Sequence, residues 1–185
     1  MTTGLFGGAF DPPHNGHVAL VEGAVQHLGL ADVVVLVSEL PGHRGVVAPA
    51  DARLRLVQAA FPDRRVELDP HARTIDLLRA RDFGDAVFLI GADQFRAFLG
   101  WKEPDAVLER VRLGVATRPG FPHEELEPVL GALRDPARVS FFDIEPVPVS
   151  GTLVRARCAE GRSLSGLVPP PVEQLIRDLG LYRRG

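Results

Sequence analysis

Short apolar runs alternate with amphipathic runs along most of the chain. Val33 to Val37 form a β-branched run without polar alternation, which predicts a strand buried on both faces. Apolar positions from Val18 to Leu28 recur largely at helical spacing, and Gly29 follows as a stop signal. Because strand and helix patterns keep alternating, we predict an α/β fold: a Rossmann-like, doubly wound parallel sheet with helices on both faces.

The same pattern predicts a complete series of elements. The strands are predicted at residues 5–7, 33–37, 65–68, 86–90, 113–117 and 139–144. The helices are predicted at 18–28, after Pro49, and at 74–81, 93–98, 105–111, 124–134, 152–160 and 171–179. Thr74 is the candidate N-cap of the third helix, and Ser150 introduces the seventh. No repeat or long linker divides the chain, so we expect one domain over residues 1–185.

The composition of the chain limits which ligands and metal sites it can be expected to have. The formal net charge of -3 argues against a non-specific nucleic-acid binder, which normally carries a basic surface. Of the 21 basic residues only Lys102 is a lysine, so arginine is expected to make any basic contact with phosphate. The single cysteine, Cys158, excludes an internal disulfide and a cysteine-rich metal site.

Missing sequence patterns exclude further classes. No apolar stretch approaches the roughly 20 residues of a membrane span, and no signal peptide is recognisable, so we expect a cytoplasmic protein without a membrane partner. A P-loop needs a Gly-Lys pair, and a nicotinamide-dependent dehydrogenase needs G-x-G-x-x-G after the first strand. Neither pattern is present there, and the G-x-S-x-G elbow of serine hydrolases is absent as well.

The loop between the first strand and the first helix carries the strongest chemical signal. It reads Gly7-Gly8-Ala9-Phe10-Asp11-Pro12-Pro13-His14-Asn15-Gly16-His17. The paired glycines let the backbone approach a ligand, and the unpaired N–H groups at the helix start favour an anion. Imidazoles such as His14 and His17 hydrogen-bond phosphate oxygens and, when protonated, offset their charge. We therefore predict a phosphate site at this loop.

A second anion-binding pattern lies at residues 149–155, which read Val149-Ser150-Gly151-Thr152-Leu153-Val154-Arg155. Ser150 or Gly151 caps a helix whose first N–H groups are suited to phosphate, and Arg155 adds a charge one turn later. On its own this pattern is more typical of an ordinary capped helix with a surface arginine. Its pairing with the first loop favours a functional role.

Together the two segments resemble the signatures of the HxGH nucleotidyltransferases. The second signature is usually written ISSTxIR; Ser150, Thr152 and Arg155 match it, and Gly151 replaces its second serine. The resemblance implies that a substrate phosphate attacks the α-phosphorus of ATP in line, with His14, His17 and Arg155 as catalytic residues. The ATP-binding residues that it implies are Gly7, Gly8, Ala9, Phe10, His14, His17, Gly91, Asp93, Ser150, Gly151, Thr152 and Arg155.

Other segments resemble the bacterial nicotinate-nucleotide adenylyltransferase family over nearly the whole chain. They are His43-Arg44, Ile90-Gly91-Ala92-Asp93, Trp101-Lys102, Arg118-Pro119-Gly120 and the ending from Leu167 to Tyr182. Two segments depart from the family pattern: one proline is missing before His43, and Ala72-Arg73-Thr74 stands where the family has Ser-Tyr-Thr. The resemblance implies a mononucleotide site formed by His43, Arg44, Thr74, Trp101 and Arg118.

The activity that this resemblance implies is transfer of AMP from ATP to nicotinate mononucleotide, giving the adenine dinucleotide and pyrophosphate in NAD biosynthesis. Mg²⁺ is expected to arrive with ATP, because the histidine spacing gives no dedicated metal site. A nicotinamide mononucleotide or phosphopantetheine acceptor remains an alternative, as does a non-catalytic nucleotide-binding regulatory protein. The sequence leaves open whether the chain forms a homo-oligomer.

Overall fold

The computed structural model describes residues 1–41 and 45–183, so the predicted site residues His43 and Arg44 lie outside the described residues. The strands in that part of the chain are β1 (Thr3–Gly8), β2 (Asp32–Ser38), β3 (Arg65–Asp69), β4 (Ala86–Gly91), β5 (Arg112–Thr117) and β6 (Val139–Asp143). The α-helices there are α1 (Asn15–Leu28), α2 (Ala50–Ala60), α3 (Thr74–Ala80), α4 (Ala92–Arg96), α5 (Pro104–Arg110), α6 (Glu127–Ala132), α7 (Gly151–Ala159) and α8 (Pro170–Asp178). None of these helices is long and apolar enough to cross a membrane.

The six strands form one parallel sheet with the order β3-β2-β1-β4-β5-β6. Strand β1 lies in the middle, where Leu5 is paired with Val34 of β2 on one side and Phe88 of β4 on the other. The chain winds outward from β1 in both directions, which places the topological switch point between β1 and β4. The predicted doubly wound parallel sheet is confirmed.

Each face of the sheet is covered by its own apolar core. On one face, Val35 of β2 belongs to a buried cluster with Leu56 of α2 and Val172 of α8. On the other face, the neighbouring residue Val34 belongs to a buried cluster with Phe95 of α4. Successive side chains of a strand point to opposite faces, so a strand buried on both faces needs an unbroken apolar run. The prediction from the apolar run Val33 to Val37, that this strand is buried on both faces of the sheet, is therefore confirmed.

The predicted helix boundaries are mostly confirmed. Gly29 closes α1 in the left-handed conformation (φ 61°, ψ 38°), which glycine adopts without strain. Ser150 caps α7, because its Oγ accepts a hydrogen bond from the N–H of Leu153 at 3.2 Å. The assignment of Thr74 as an N-cap is wrong: the N-cap of α3 is Arg73, which has an extended backbone.

The helix predicted over residues 124–134 is interrupted. A 3-10 turn at His123–Glu125 comes first, and α6 begins only at Glu127. Pro128 lies in the first turn of α6, where its missing N–H costs nothing, whereas in a helix interior it would remove a hydrogen bond. The proline therefore divides a run that its apolar spacing alone predicted to be continuous.

A buried arginine fastens the first loop to the rest of the fold. Arg53 of α2 is only 1% exposed. Its Nε donates to the carbonyl oxygen of Ala48 at 3.1 Å, and its Nη1 donates to the carbonyl oxygens of Ala9 and Ser38, both at 2.7 Å. One guanidinium thus joins the end of β2, the start of α2 and the loop that follows β1.

The carboxylate of Asp11 completes this buried polar cluster. Its Oδ2 accepts from the N–H of Val47 at 2.7 Å, and its Oδ1 accepts from the N–H of Ala48 at 3.1 Å and from the hydroxyl of Tyr182 at 2.7 Å. Burial, reinforced by the bond to Asp11, raises the pKa of the Tyr182 hydroxyl, which therefore stays a donor at neutral pH. Burial lowers the pKa of Arg53, and the charge of Asp11 opposes that shift.

Replacing Arg53 by methionine should destabilise the protein by about 3 kcal/mol or more. The variant removes the group that donates to three carbonyl oxygens, and it also removes a buried positive charge whose field acts on the carboxylate of Asp11. Urea unfolding followed by circular dichroism measures the change. The matched control is Arg55→Met, an exposed position on the same helix, where we expect a change within about 0.5 kcal/mol. Equal losses in the two variants would contradict the role given to the buried cluster.

Candidate active site

Two cavities open at the carboxyl edge of the sheet. The first, of about 960 Å³, extends from β1 towards the ends of β5 and β6, and the second, of about 680 Å³, extends towards the ends of β2 and β3. Both are lined by Gly7, Gly8, Ala9 and Gln94. The cavities therefore meet at the end of β1, beside the switch point where doubly wound sheets bind their ligands.

His14 and His17 line the first cavity as a stacked pair. Their ring centroids are 3.7 Å apart and their planes are inclined by 21°. His14 is the N-cap of α1, and its backbone N–H donates to Nδ1 of His17 at 3.1 Å. Because Nδ1 of His17 accepts a hydrogen bond, the proton of the neutral ring lies on Nε2. The pair is thus fixed where α1 presents its first N–H groups.

The environment of His14 determines its charge. Burial lowers the pKa of its imidazole from 6.5 to about 4. Its Nδ1 is buried and has no hydrogen-bond partner in the described part of the chain. At pH 7 His14 is therefore neutral, so it is suited to bind an anion through a hydrogen bond. The charge compensation expected from a protonated ring does not apply to His14 in this state.

The position of Gly16, in the sequence between His14 and His17, has no room for a side chain. A Cβ at this position would lie 3.1 Å from Nδ1 and 3.2 Å from Cε1 of His14, and 3.4 Å from Cγ1 of Val149. The first two distances are shorter than ordinary carbon contacts. The His14 ring therefore lies directly over the glycine, and a side chain there would displace it.

The two sequence motifs meet, although 144 residues separate their contacting members. Nη1 of Arg155 donates to the carbonyl oxygen of Asp11 at 2.6 Å, and Nη2 donates to Oγ1 of Thr152 at 3.3 Å. A Cβ on Gly151 would lie 3.0 Å from the same carbonyl oxygen, so the glycine permits this approach. Arg155, Thr152 and Gly151 line the first cavity, whereas Ser150 caps α7 and lines neither cavity. Binding of ATP by Ser150 stays a prediction.

Gly91, Asp93 and Arg118 lie on another wall of the first cavity. Gly91 is the N-cap of α4, and the exposed Asp93 forms an ion pair with Arg96. Arg118 follows β5 and lines the first cavity but not the second, so its position does not favour the predicted contact with a mononucleotide. Arg96 and Phe121 also line this cavity; sequence reasoning missed them because neither belongs to a recognisable motif.

Thr74 and Trp101 line the second cavity together, and their binding of a mononucleotide stays a prediction. The Trp101 ring packs against Phe88 and Phe98, with centroid distances of 6.2 and 5.2 Å. This contact fixes an aromatic wall against which a planar ring can stack. Arg73 lines the same cavity and was missed, because it occupies a position where the family pattern has no arginine.

Comparison with known sequences agrees with this geometry. The family model described as cytidylyltransferase-like matches residues 5–157. A protein of Rubrobacter xylanophilus is 37% identical over 198 residues, covering 99% of this chain and 92% of its own length. A protein of Thermus thermophilus is 38% identical over 195 residues, covering 99% of this chain and 100% of its own. Both carry the name "Probable nicotinate-nucleotide adenylyltransferase".

Solved structures share the fold. Two structures of Plasmodium falciparum nicotinic acid mononucleotide adenylyltransferase, complexed with APC and with NaAD, match with TM-scores of 0.77 and 0.79. Each match covers 98% of this chain, and 96% and 97% of the respective structures, at 14% identity. At that identity the likeness concerns the architecture of the sheet and its helices.

The half-buried His14 should make stability depend on pH. Its folded-state pKa of about 4 lies below the ordinary value of 6.5, so the unfolded chain binds the proton first as the pH falls. The stability that the neutral ring contributes is complete above pH 6.5 and is lost progressively down to pH 4. Compared with His14→Asn, the free energy of unfolding of the natural protein should fall more steeply over that window, by up to about 1.4 kcal/mol per pH unit. Urea unfolding at pH 7, 5.5 and 4.5 measures this; parallel curves would contradict the burial of His14.

Proposed function

The chain belongs to the cytidylyltransferase-like family and to the nicotinate-nucleotide adenylyltransferases, and we propose that it transfers AMP from ATP to nicotinate mononucleotide, releasing pyrophosphate. The observation that carries this proposal is the meeting of two cavities at Gly7, Gly8 and Ala9. In-line transfer of AMP needs the attacking phosphate oxygen and the leaving pyrophosphate on opposite sides of the α-phosphorus of ATP. A loop shared by two cavities is suited to hold that atom.

ATP occupies the first cavity in this proposal. Its triphosphate lies between the first loop, with His14 and His17, and the start of α7, with Thr152 and Arg155. The 14-residue helix α1 begins at the same point, and its N-terminal N–H groups favour an anion. The predicted contacts of Gly91 and Asp93 with the nucleotide are compatible with their place on the wall of this cavity.

The mononucleotide occupies the second cavity. Its ring stacks at Trp101, beside Thr74, and its phosphate points to the junction at Gly7 to Ala9. A phosphate oxygen attacks the α-phosphorus of ATP, the bond from that phosphorus to the bridging oxygen breaks, and pyrophosphate leaves towards the histidine pair. The reaction needs no covalent enzyme intermediate, since positioning and charge stabilisation supply the rate enhancement.

Mg²⁺ enters this proposal together with ATP. The carboxylate of Asp11 is buried and already accepts three hydrogen bonds, and Asp93 is paired with Arg96, so neither is suited to serve as a ready ligand. Among the described residues no group of three His, Cys, Asp or Glu side chains is placed to hold a metal. Bound to the phosphates, the ion would neutralise charge on the triphosphate and the leaving pyrophosphate.

A substrate panel tests the proposed function. Purified protein is given ATP and Mg²⁺ with nicotinate mononucleotide, nicotinamide mononucleotide or phosphopantetheine, and pyrophosphate release is measured. We expect the highest kcat/KM with nicotinate mononucleotide. A higher kcat/KM with nicotinamide mononucleotide or phosphopantetheine would identify that compound as the acceptor instead. If the protein binds ATP but turns over none of the three acceptors, a regulatory nucleotide-binding protein would be favoured.

Replacing His17 by alanine should lower kcat by about 100-fold or more, since one preorganised donor to a developing charge is worth 100- to 1,000-fold. The variant also loses the acceptor for the His14 N–H, a capping bond worth about 1 kcal/mol, so the melting temperature should fall by only a few degrees. The matched control is His27→Ala, at an exposed histidine near the other end of α1, which should keep full activity. Unchanged kcat in His17→Ala would remove this residue from the chemistry.

A further inference from the structure

Four ionisable side chains line the second cavity within the described ranges: Asp69, His71, Arg73 and Lys102. Asp69 and His71 bind each other, since Oδ1 of the carboxylate and Nδ1 of the imidazole are 2.8 Å apart. Nζ of Lys102 donates to Oδ1 of Asp76 at 2.8 Å. These three groups therefore already have protein partners.

Arg73 differs from these three groups. Its side chain is exposed, and its guanidinium forms no hydrogen bond, ion pair or ring contact within residues 1–41 and 45–183. It is the N-cap of α3, with φ -137° and ψ 141°, so its position is set by the turn from β3 into the helix. The five N–H donors of its guanidinium are thus available to a ligand in the cavity.

Arg73 belongs to the wall of the second cavity that follows β3. Arg73 lines the second cavity and not the first, and it follows β3, which lies two strands from β1. With a strand spacing of about 4.8 Å, the ends of β1 and β3 are about 10 Å apart. If the acceptor phosphate lies at the end of β1, the ring of the mononucleotide extends towards Trp101 and Arg73.

The chemistry of a guanidinium discriminates between the two pyridine mononucleotides. They differ at one ring position, where nicotinate has a carboxylate and nicotinamide has a carboxamide. A guanidinium donates two parallel hydrogen bonds to a carboxylate, and the opposite charges strengthen both. A carboxamide offers one acceptor oxygen, and its NH₂ group would face the guanidinium donor to donor.

From the unpaired state and the position of this side chain, we infer that Arg73 binds the carboxylate of the nicotinate ring and selects the acid over the amide. The inference rests on the proposed function and adds a specificity residue to it. Arg73 occupies the position where the resembling family has tyrosine, so this chain brings a charged group of its own to the acceptor site.

The test compares kcat/KM for nicotinate and nicotinamide mononucleotide, each with saturating ATP and Mg²⁺. In Arg73→Gln the acid-to-amide ratio should fall about tenfold or more, because a charge-assisted pair is replaced by a neutral hydrogen bond. Arg73→Lys keeps the charge but loses the paired geometry, so its ratio should lie between those of the natural protein and Arg73→Gln. The KM for ATP and the melting temperature should not change, since the Arg73 side chain has no partner to lose among the described residues 1–41 and 45–183. Arg55→Gln, at an exposed arginine of α2 outside both cavities, is the matched control.

Each outcome separates the inference from the proposed function. If the natural protein turns over neither mononucleotide, the proposed function fails and the inference fails with it. If the natural protein is active but Arg73→Gln loses activity equally with both acceptors, Arg73 binds a group that they share, such as the phosphate, and only the inference is overturned. A ratio that stays unchanged with full activity also overturns the inference alone.

Discussion

The buried polar cluster built on Asp11 and Arg53 constrains the parts of the molecule that face a ligand. The first loop follows β1 without a strand partner, so its path depends on other contacts. Arg53 donates a hydrogen bond to the carbonyl oxygen of Ala9 in this loop. The carboxylate of Asp11, in the same loop, accepts hydrogen bonds from the backbone N–H groups of Val47 and Ala48. Burying an arginine is unfavourable by itself, and here three carbonyl acceptors offset much of the cost of desolvation. Charges placed in the core thus fix the geometry of a loop at the surface.

Asp11 also connects the two motifs that the sequence separates. Its side chain belongs to the buried cluster, while its backbone carbonyl oxygen accepts from Arg155 of α7. The glycine at 151 allows that approach, which explains in steric terms why this chain tolerates the loss of the second serine of the resembling motif. Under the proposed function the triphosphate lies between the first loop and α7. One residue therefore sets the distance between the two walls that hold it.

Local sequence predicted the sheet well and the individual side-chain environments less well. The apolar runs of β2 and β4 predict buried strands, and the alternation of strands with helices predicts a parallel sheet covered on both faces. The environment of Arg53 could not be predicted, because a single basic residue among the apolar positions of α2 usually faces water. The placement of Arg118 on the first cavity depends on the strand order, which no local pattern specifies. In the sequence Ala72-Arg73 departs from the family pattern, and only the tertiary contacts show that this arginine has no side-chain partner in the part of the chain that the structure describes.

Under the proposed function, the charge state of the histidine pair explains how the first cavity would bind a triphosphate and still release pyrophosphate. Two protonated rings stacked at this separation would repel each other by about 4 kcal/mol at an effective dielectric constant of 20. Burial keeps His14 neutral, which removes that repulsion whatever the state of His17. The pair then offers hydrogen bonds at a fixed spacing rather than two permanent charges. Under the proposed function, neutralisation is left to Arg155 and to Mg²⁺ that arrives with ATP. Because that ion would leave together with pyrophosphate, part of the charge that assists formation of the product would not stay behind to retain it.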